Sequence, residues 1–233
     1  VETAALLEEL DQMLSAVTSG DLFHESRFSD TPQALRRLND IAFSGDGEPT
    51  TYQNFDKLLE SCAGIKRRHG LDSVKMILIS NASMFHRPHV QRGLEILDAN
   101  QGEIWAKLEA GTEAYYQQVE RTSIPFQQVL DNILAAARQR PIVIQALFMR
   151  IAGQPPSGKE QQAFCDRLRE IVSQGGQISL VQVYTVARPP AESTVTPLVD
   201  IEVDQLVELV RDQAGLAAKG YYGSLEGMSG NGD

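Results

Sequence analysis

The stretch Phe43-Ser44-Gly45-Asp46-Gly47-Glu48-Pro49-Thr50 decides how this chain is read. An apolar run, Ile41-Ala42-Phe43, stops at two glycines that flank an aspartate, and a glutamate and a proline follow. A helical pattern then begins at Asn54. Glycine lets a ligand approach the backbone closely, and a strand that turns through glycines into a helix is where α/β folds place ligands. Glu48 puts one carboxylate inside that turn. Beside exposed carbonyls, it offers an ammonium group two acceptors. A plain turn with Glu48 capping the next helix meets the same spacing. The turn is not a phosphate cradle of the usual kind. It lacks the Gly-Lys-Ser/Thr ending, and Asp46 and Glu48 would repel a phosphate.

Working outward, strand patterns occupy 39–44, 74–79, 104–108, 143–149 and 178–184. Amphipathic helices are expected over 2–17, 53–69, 88–98, 112–118, 125–138, 158–173 and 201–213, with apolar residues three and four apart. Strand and helix alternate at intervals of roughly 30–40 residues, the length of βα units. The strands are short and apolar on both faces, which suits a buried parallel sheet. Right-handed crossovers then gather every strand C-terminus on one rim. Gly45–Glu48, Ser80–Ser83, Lys107–Gly111, Arg150–Gly153 and Thr185–Arg188 are expected there, where βα barrels carry their chemistry. Five strands allow an open partial barrel, a doubly wound sheet, or a barrel whose first unit lies elsewhere. The folded domain is expected over 1–215, with a flexible Gly/Ser-rich tail over 216–233.

The 233 residues are 42% hydrophobic, enough for a substantial core. The net charge of −10 argues against a dedicated nucleic-acid surface. Two cysteines, Cys62 and Cys165, are too few for a disulfide framework and fit a reduced, cytoplasmic setting. No apolar run is long enough to span a membrane, and the acidic start VETAALLEEL is not a signal peptide.

Ser80 and Asn81 can hydrogen-bond sugar hydroxyls from the second rim position, or cap a turn. Lys107 lies in an apolar strand, where its charge needs a carboxylate or a ligand unless it reaches solvent. Arg150 and Arg188 follow strands and can pair with carboxylates, either of the protein or of a ligand. His86 and His89 have a spacing that zinc sites use, but no third ligand lies nearby in sequence. Both cysteines sit on apolar helix faces, as buried inert thiols do. No metal-ligand set is assigned, and no Gly-x-Ser-x-Gly elbow indicates a serine hydrolase.

The ordered series resembles the radical S-adenosylmethionine (radical SAM) superfamily over about residues 38–215. Phe43–Thr50 resembles its Gly-Gly-Glu segment. Ile77-Leu78-Ile79-Ser80-Asn81-Ala82 resembles its third strand, which often ends in Thr-Asn-Gly. Trp105–Gly111 is similar to the fourth strand, Phe148–Gly153 with Glu160 to the fifth, and Val183–Pro190 to the sixth. The resemblance implies an α/β fold, a partial (β/α)6 TIM-like barrel with a parallel sheet, of which strands two to six are present. It implies two cofactors, S-adenosylmethionine and a [4Fe-4S] cluster. The Gly-Gly-Glu segment holds the cofactor's methionine amino group, here Gly47 and Glu48 within Gly45, Asp46, Gly47, Glu48 and Pro49. Ser80, Asn81 and Lys107 would contact the ribose or carboxylate. Gly153, Val186 and Ala187 would flank the adenine. The implied activity is generation of a 5′-deoxyadenosyl radical for hydrogen abstraction from an unknown substrate, with an electron donor such as flavodoxin or ferredoxin.

The sequence departs from the family in one respect: it contains no Cys-x3-Cys-x2-Cys. The cluster ligands are expected upstream of Val1, which marks the chain as a fragment under this reading. Two rivals stand beside it. One is a non-catalytic relative that binds a nucleoside or a protein partner through the same rim. The other is an unrelated βα-barrel enzyme using Lys107 as a Schiff base.

Overall fold

The computed structural model describes residues 2–45 and 47–223. The chain divides into two compact units, one of residues 1–80 with 84–104 and one of 81–83 with 105–233.

The first unit is built from α1 (Thr3–Ser19), β1 (Asp40–Phe43), α2 (Phe55–Arg68), β2 (Lys75–Ser80), α3 (Pro88–Asp98) and the start of β3 (Gly102–Lys107). β1 lies parallel to β2, in register from Asp40 opposite Lys75 to Phe43 opposite Leu78. Met76 N–H donates to the Gln101 carbonyl just before β3. The helical period of α2 buries Phe55, Leu59, Cys62 and Ile65 on one stripe. α3 presses closely on that stripe: a Cβ on Gly93 would come within 2.6 Å of the Phe55 ring. α1 runs two residues past its expected end and stops at Gly20, in the left-handed conformation with φ of 86°.

The second unit takes the rest of β3, α4 (Glu113–Glu120), α5 (Phe126–Gln139), β4 (Ile142–Leu147), β5 (Met149–Ile151), α6 (Gly158–Ser173), β6 (Ile178–Tyr184), β7 (Val195–Pro197), α7 (Asp200–Ala214) and β8 (Ala218–Tyr221). β3, β4, β6 and β8 are parallel neighbours, and β5 and β7 form a separate antiparallel pair. The full strand order is β1-β2-β3-β4-β6-β8. The fold class is therefore α/β with a parallel sheet, of the partial TIM-like type that the sequence implies.

Two expectations need correction. The strands are not apolar on both faces. In register across the second unit, Ala106, Ile144, Val181 and Ala218 form one buried apolar row. The next row, on the opposite face, is Lys107, Gln145, Gln182 and Lys219. Second, the stretch assigned to the tail contains a strand. Ala218–Tyr221 has little β-branched character, but the outer edge of β6 offers it backbone partners, beginning with Val181 N–H to the Ala217 carbonyl at 2.8 Å. Residues 224–233 of the expected tail lie outside the described residues.

Lys66 is the buried charge of the first unit, 1% exposed. Its ammonium donates to the carbonyls of Asp72 (3.3 Å), Val74 (2.7 Å) and Asn100 (2.9 Å). Burial lowers its pKa from the ordinary lysine value. The three carbonyls sit in the segments that lead into β2 and β3, so one side chain replaces the water those segments would otherwise need. Lys66→Met keeps the stem and removes the three donors. It is expected to lower unfolding free energy by roughly 2–4 kcal/mol, as measured by urea titration.

Candidate functional site

The decisive turn follows β1 in the first unit. Glu48 is half-buried, and its carboxylate oxygen Oε1 accepts from Thr50 N–H (3.0 Å), Thr50 Oγ1–H (2.5 Å) and Ser80 Oγ–H (2.7 Å). Thr50 and Ser80 are both buried. Glu48 thus caps the short 3-10 turn Pro49–Thr51 and ties the end of β1 to the end of β2. The cap reading of the sequence is therefore correct in geometry. It leaves the carboxylate beside Gly45 and Gly47, which are exposed and would meet nothing within 4 Å if each carried a Cβ. Neither glycine is required by packing or by a left-handed φ. An open groove of about 670 Å³ runs past this turn, lined by Leu6, Phe43, Gly45, Gly47, Glu48 and Tyr52 among others. Asp46 lies outside the described residues. This turn offers a ligand a held carboxylate, unobstructed backbone and an apolar wall.

In the second unit, Asn81 Oδ1 accepts from Ser83 N–H at 3.0 Å, closing a turn in which Ala82 has φ of 59°. Asn132 on α5 holds that turn by donating to the carbonyls of Ala82 (2.8 Å) and Ser83 (3.1 Å). Ala82 stands where the resembling family often carries glycine, and its left-handed φ explains that preference.

Asn81 and Lys107 line a cavity of about 120 Å³ together with Glu109 and Glu120. Glu109 follows Lys107 by two residues and is half-buried, as Lys107 is. Tyr184 on β6 donates its hydroxyl to Glu109 Oε1 at 3.2 Å. Burial, then the charge and hydrogen bond of Glu120, push the Glu109 carboxyl up to about 8. Lys107 and the Tyr184 hydrogen bond act the other way. Burial and Glu109 together also push the Tyr184 phenol upward.

A further carboxylate holds the turn after β3. Glu160 on α6, 5% exposed, accepts from the Gly111 N–H, the Thr112 N–H and the Thr112 hydroxyl, the last at 2.6 Å. Gly111 is obligatory for a steric reason: a Cβ there would lie 2.1 Å from Phe164 N.

Of the residues singled out in sequence, the structure joins Glu48 to Ser80 in the first unit and places Asn81 and Lys107 on one cavity in the second. Gly153, Val186 and Ala187 are not on that cavity. Gly153 follows β5 at a turn where Ala152 and Gly153 have φ of 50° and 77°, and its carbonyl accepts from Arg150 at 2.9 Å. Val186 and Ala187 follow β6, the first half-buried and the second exposed. Arg150 also pairs with Glu202 at 2.5 Å, a protein salt bridge. Glu109, Glu120, Tyr184 and the clamping role of Glu160 were missed in sequence. Strand alternation from Lys107 to Glu109 was the available signal; Glu120 and Tyr184 meet Glu109 through tertiary packing alone. Among the described residues no group of three or more His, Cys, Asp or Glu could hold a metal ion. Cys62 and Cys165 are buried in different units, and burial raises both thiols, Cys62 to about 11.

No family model matches the chain, and no curated protein matches it. Solved structures do. A radical SAM methyltransferase from Sphaerobacter thermophilus superposes with a TM-score of 0.56 at 15% identity, over 82% of this chain and 52% of that one. Archaeal TYW1 superposes with a TM-score of 0.53 at 14% identity, over 92% of this chain and 64% of that one. The chain thus spans less than two thirds of the length of either, and what it shares with them is the fold.

The Glu109 carboxyl makes stability depend on pH. The folded protein keeps a proton there up to about pH 8, whereas the ordinary carboxyl value is 4.5. Folded chains therefore bind more protons than unfolded ones between these values, and stability is lost as pH rises through them. Glu109→Gln cannot ionise. Its stability relative to the wild type is expected to rise by about 1–3 kcal/mol between pH 5 and pH 9. Urea unfolding at a series of pH values measures it, and parallel curves would mean that Glu109 is ionised throughout.

Proposed function

We propose that this chain is the S-adenosylmethionine-binding part of a radical SAM enzyme, with Glu48 as receptor for the cofactor's aminoacyl end. The observation that carries the reading is the Glu48 carboxylate, held by Thr50 and Ser80 at the open glycine turn after the first strand. An ammonium needs a fixed anionic acceptor with room for approach, and the turn meets both conditions. In this reading Gly45, Asp46, Gly47 and Pro49 shape the approach. Asn81 and Lys107 serve the ribose or carboxylate, and Gly153, Val186 and Ala187 border the adenine.

S-adenosylmethionine held by these residues would, with a reduced [4Fe-4S] cluster, supply radical chemistry for hydrogen abstraction from a substrate. The chain's own two cysteines do not fit that cluster, being buried, in different units and without neighbouring ligands. The reading therefore assigns the cluster to other residues. A small electron carrier such as flavodoxin or ferredoxin completes the system, in a reducing cytoplasm. No described helix is long and apolar enough to cross a membrane.

Glu48→Gln tests the reading. The amide oxygen still accepts from Thr50 and Ser80, so the turn survives, while the charge that attracts the ammonium is gone. Calorimetry with S-adenosylmethionine is expected to show at least a tenfold rise in Kd, about 1.4 kcal/mol. The thermal midpoint should fall by only about 2–4 °C. Failure of the wild type to bind the cofactor, or equal binding by the variant, would overturn the assignment.

A further inference from the structure

The cavity beside β3 contains more chemistry than the cofactor reading uses. Its volume is about 120 Å³, room for several waters, so it admits a short chain end. One wall is apolar, formed by Leu108, Ile124, Phe126 and Val129. The Phe126 ring stacks on Tyr116 at 4.8 Å. The other wall carries Glu109, Glu120 and Lys107.

The charges on that wall do not balance. Among the described residues, two carboxyl groups and one ammonium, that of Lys107, line it. Glu120 is the last residue of α4, where the helix dipole favours positive charge. The next residue, Arg121, takes a left-handed backbone and pairs with Glu192 at 2.9 Å, which accounts for its charge. Asn81, Ser83, Tyr116 and Thr122 also line the cavity, and the Tyr184 hydroxyl from β6 and Tyr115 from α4 face Glu109; none of these brings a positive charge. Glu160, which also acts on Tyr115, is committed to Gly111 and Thr112. A second carboxylate in this wall therefore lacks a counter-charge, and the deficit is met by a proton on Glu109.

We propose that this cavity is a receptor for a primary alkylammonium group, held by Glu109 and Glu120. The ammonium lies on the two carboxylates and its alkyl stem on Phe126, Ile124 and Val129. The displaced proton goes to solvent, leaving two carboxylates matched by Lys107 and the ligand. The inference stands on the second unit alone and does not depend on cofactor binding at Glu48.

The test uses the whole chain and n-propylammonium chloride at constant ionic strength, followed by calorimetry in two buffers of different ionisation enthalpy. n-Propanol and propionate are the neutral and anionic controls. Propylammonium is expected to bind at least tenfold more tightly than either. Below about pH 8 its affinity should fall about tenfold per pH unit, with release of about one proton. Glu109→Gln and Glu120→Gln should each weaken binding at least tenfold and abolish proton release, while thermal melts show both variants folded. Absence of binding, equal binding of n-propanol, pH-independent affinity between about pH 6 and 8, or wild-type affinity in both variants would overturn the proposal. Displacement of propylammonium by S-adenosylmethionine would assign the cavity to the cofactor and overturn it as a separate site, leaving the Glu48 reading intact.

Discussion

Each parallel strand starts and ends with backbone groups that neighbouring strands cannot satisfy, and this fold meets that constraint with buried or half-buried charge. Lys66 collects three carbonyls in the segments that enter β2 and β3. Glu48 collects donors where β1 and β2 end, and Glu160 collects donors where β3 ends. The signs follow from the backbone. Unpaired carbonyls call for a donor with several protons, and lysine has three. Unpaired N–H groups and small hydroxyls call for an acceptor with several lone pairs, which a carboxylate provides. In each case one side chain does what two or three ordered waters would do. It does so from a rigid helix or a short turn, so the loops it holds are fixed in place.

That arrangement frees one face of the sheet in the second unit for polar side chains. The row Ala106, Ile144, Val181, Ala218 is buried. The row Lys107, Gln145, Gln182, Lys219 faces the other way, and Gln145 donates to Gln182 at 2.9 Å. Further along the same face lies the Tyr184–Glu109 hydrogen bond. β5 and β7 extend beyond this edge as a small antiparallel pair. Thr185 anchors them, donating to the Phe148 carbonyl and accepting from Leu198 N–H, each at 2.8 Å. The site-bearing end of the second unit is thus built from hydrogen bonds, while its stability comes from the buried apolar face.

The sequence made much of this legible. The helical stripe of α2, the ends of α1 and α2 and the apolar runs of the first five parallel strands all fall within a few residues of their expected places. These signals are local, set by period and by backbone preference. The second face of the sheet was misread because a short strand with a single polar residue, such as Ile142–Leu147 with Gln145, looks apolar throughout. β8 was missed because Ala-Lys-Gly-Tyr owes its conformation to the edge of β6. Glu48 was legible as a carboxylate in a turn, but its bond to Ser80 spans 32 residues and is a product of the fold. Glu109 and Glu120 were invisible as a pair, since only packing brings the end of α4 to the end of β3.

Glu109 and Glu160 both lie near the end of β3, and their surroundings assign them different work. Glu160 is met by two backbone N–H groups and a hydroxyl, all donors. Donors stabilise a carboxylate in place, so this residue is spent on fixing Gly111 and Thr112. Glu109 is met by one hydroxyl donor, by the Lys107 charge and by another carboxyl group. A carboxylate so placed is short of positive charge, and the protein can correct that only with a proton or with a ligand that brings a charge of its own. Structure and binding thus use the same functional group at neighbouring positions, and the number of donors around each decides which role it has.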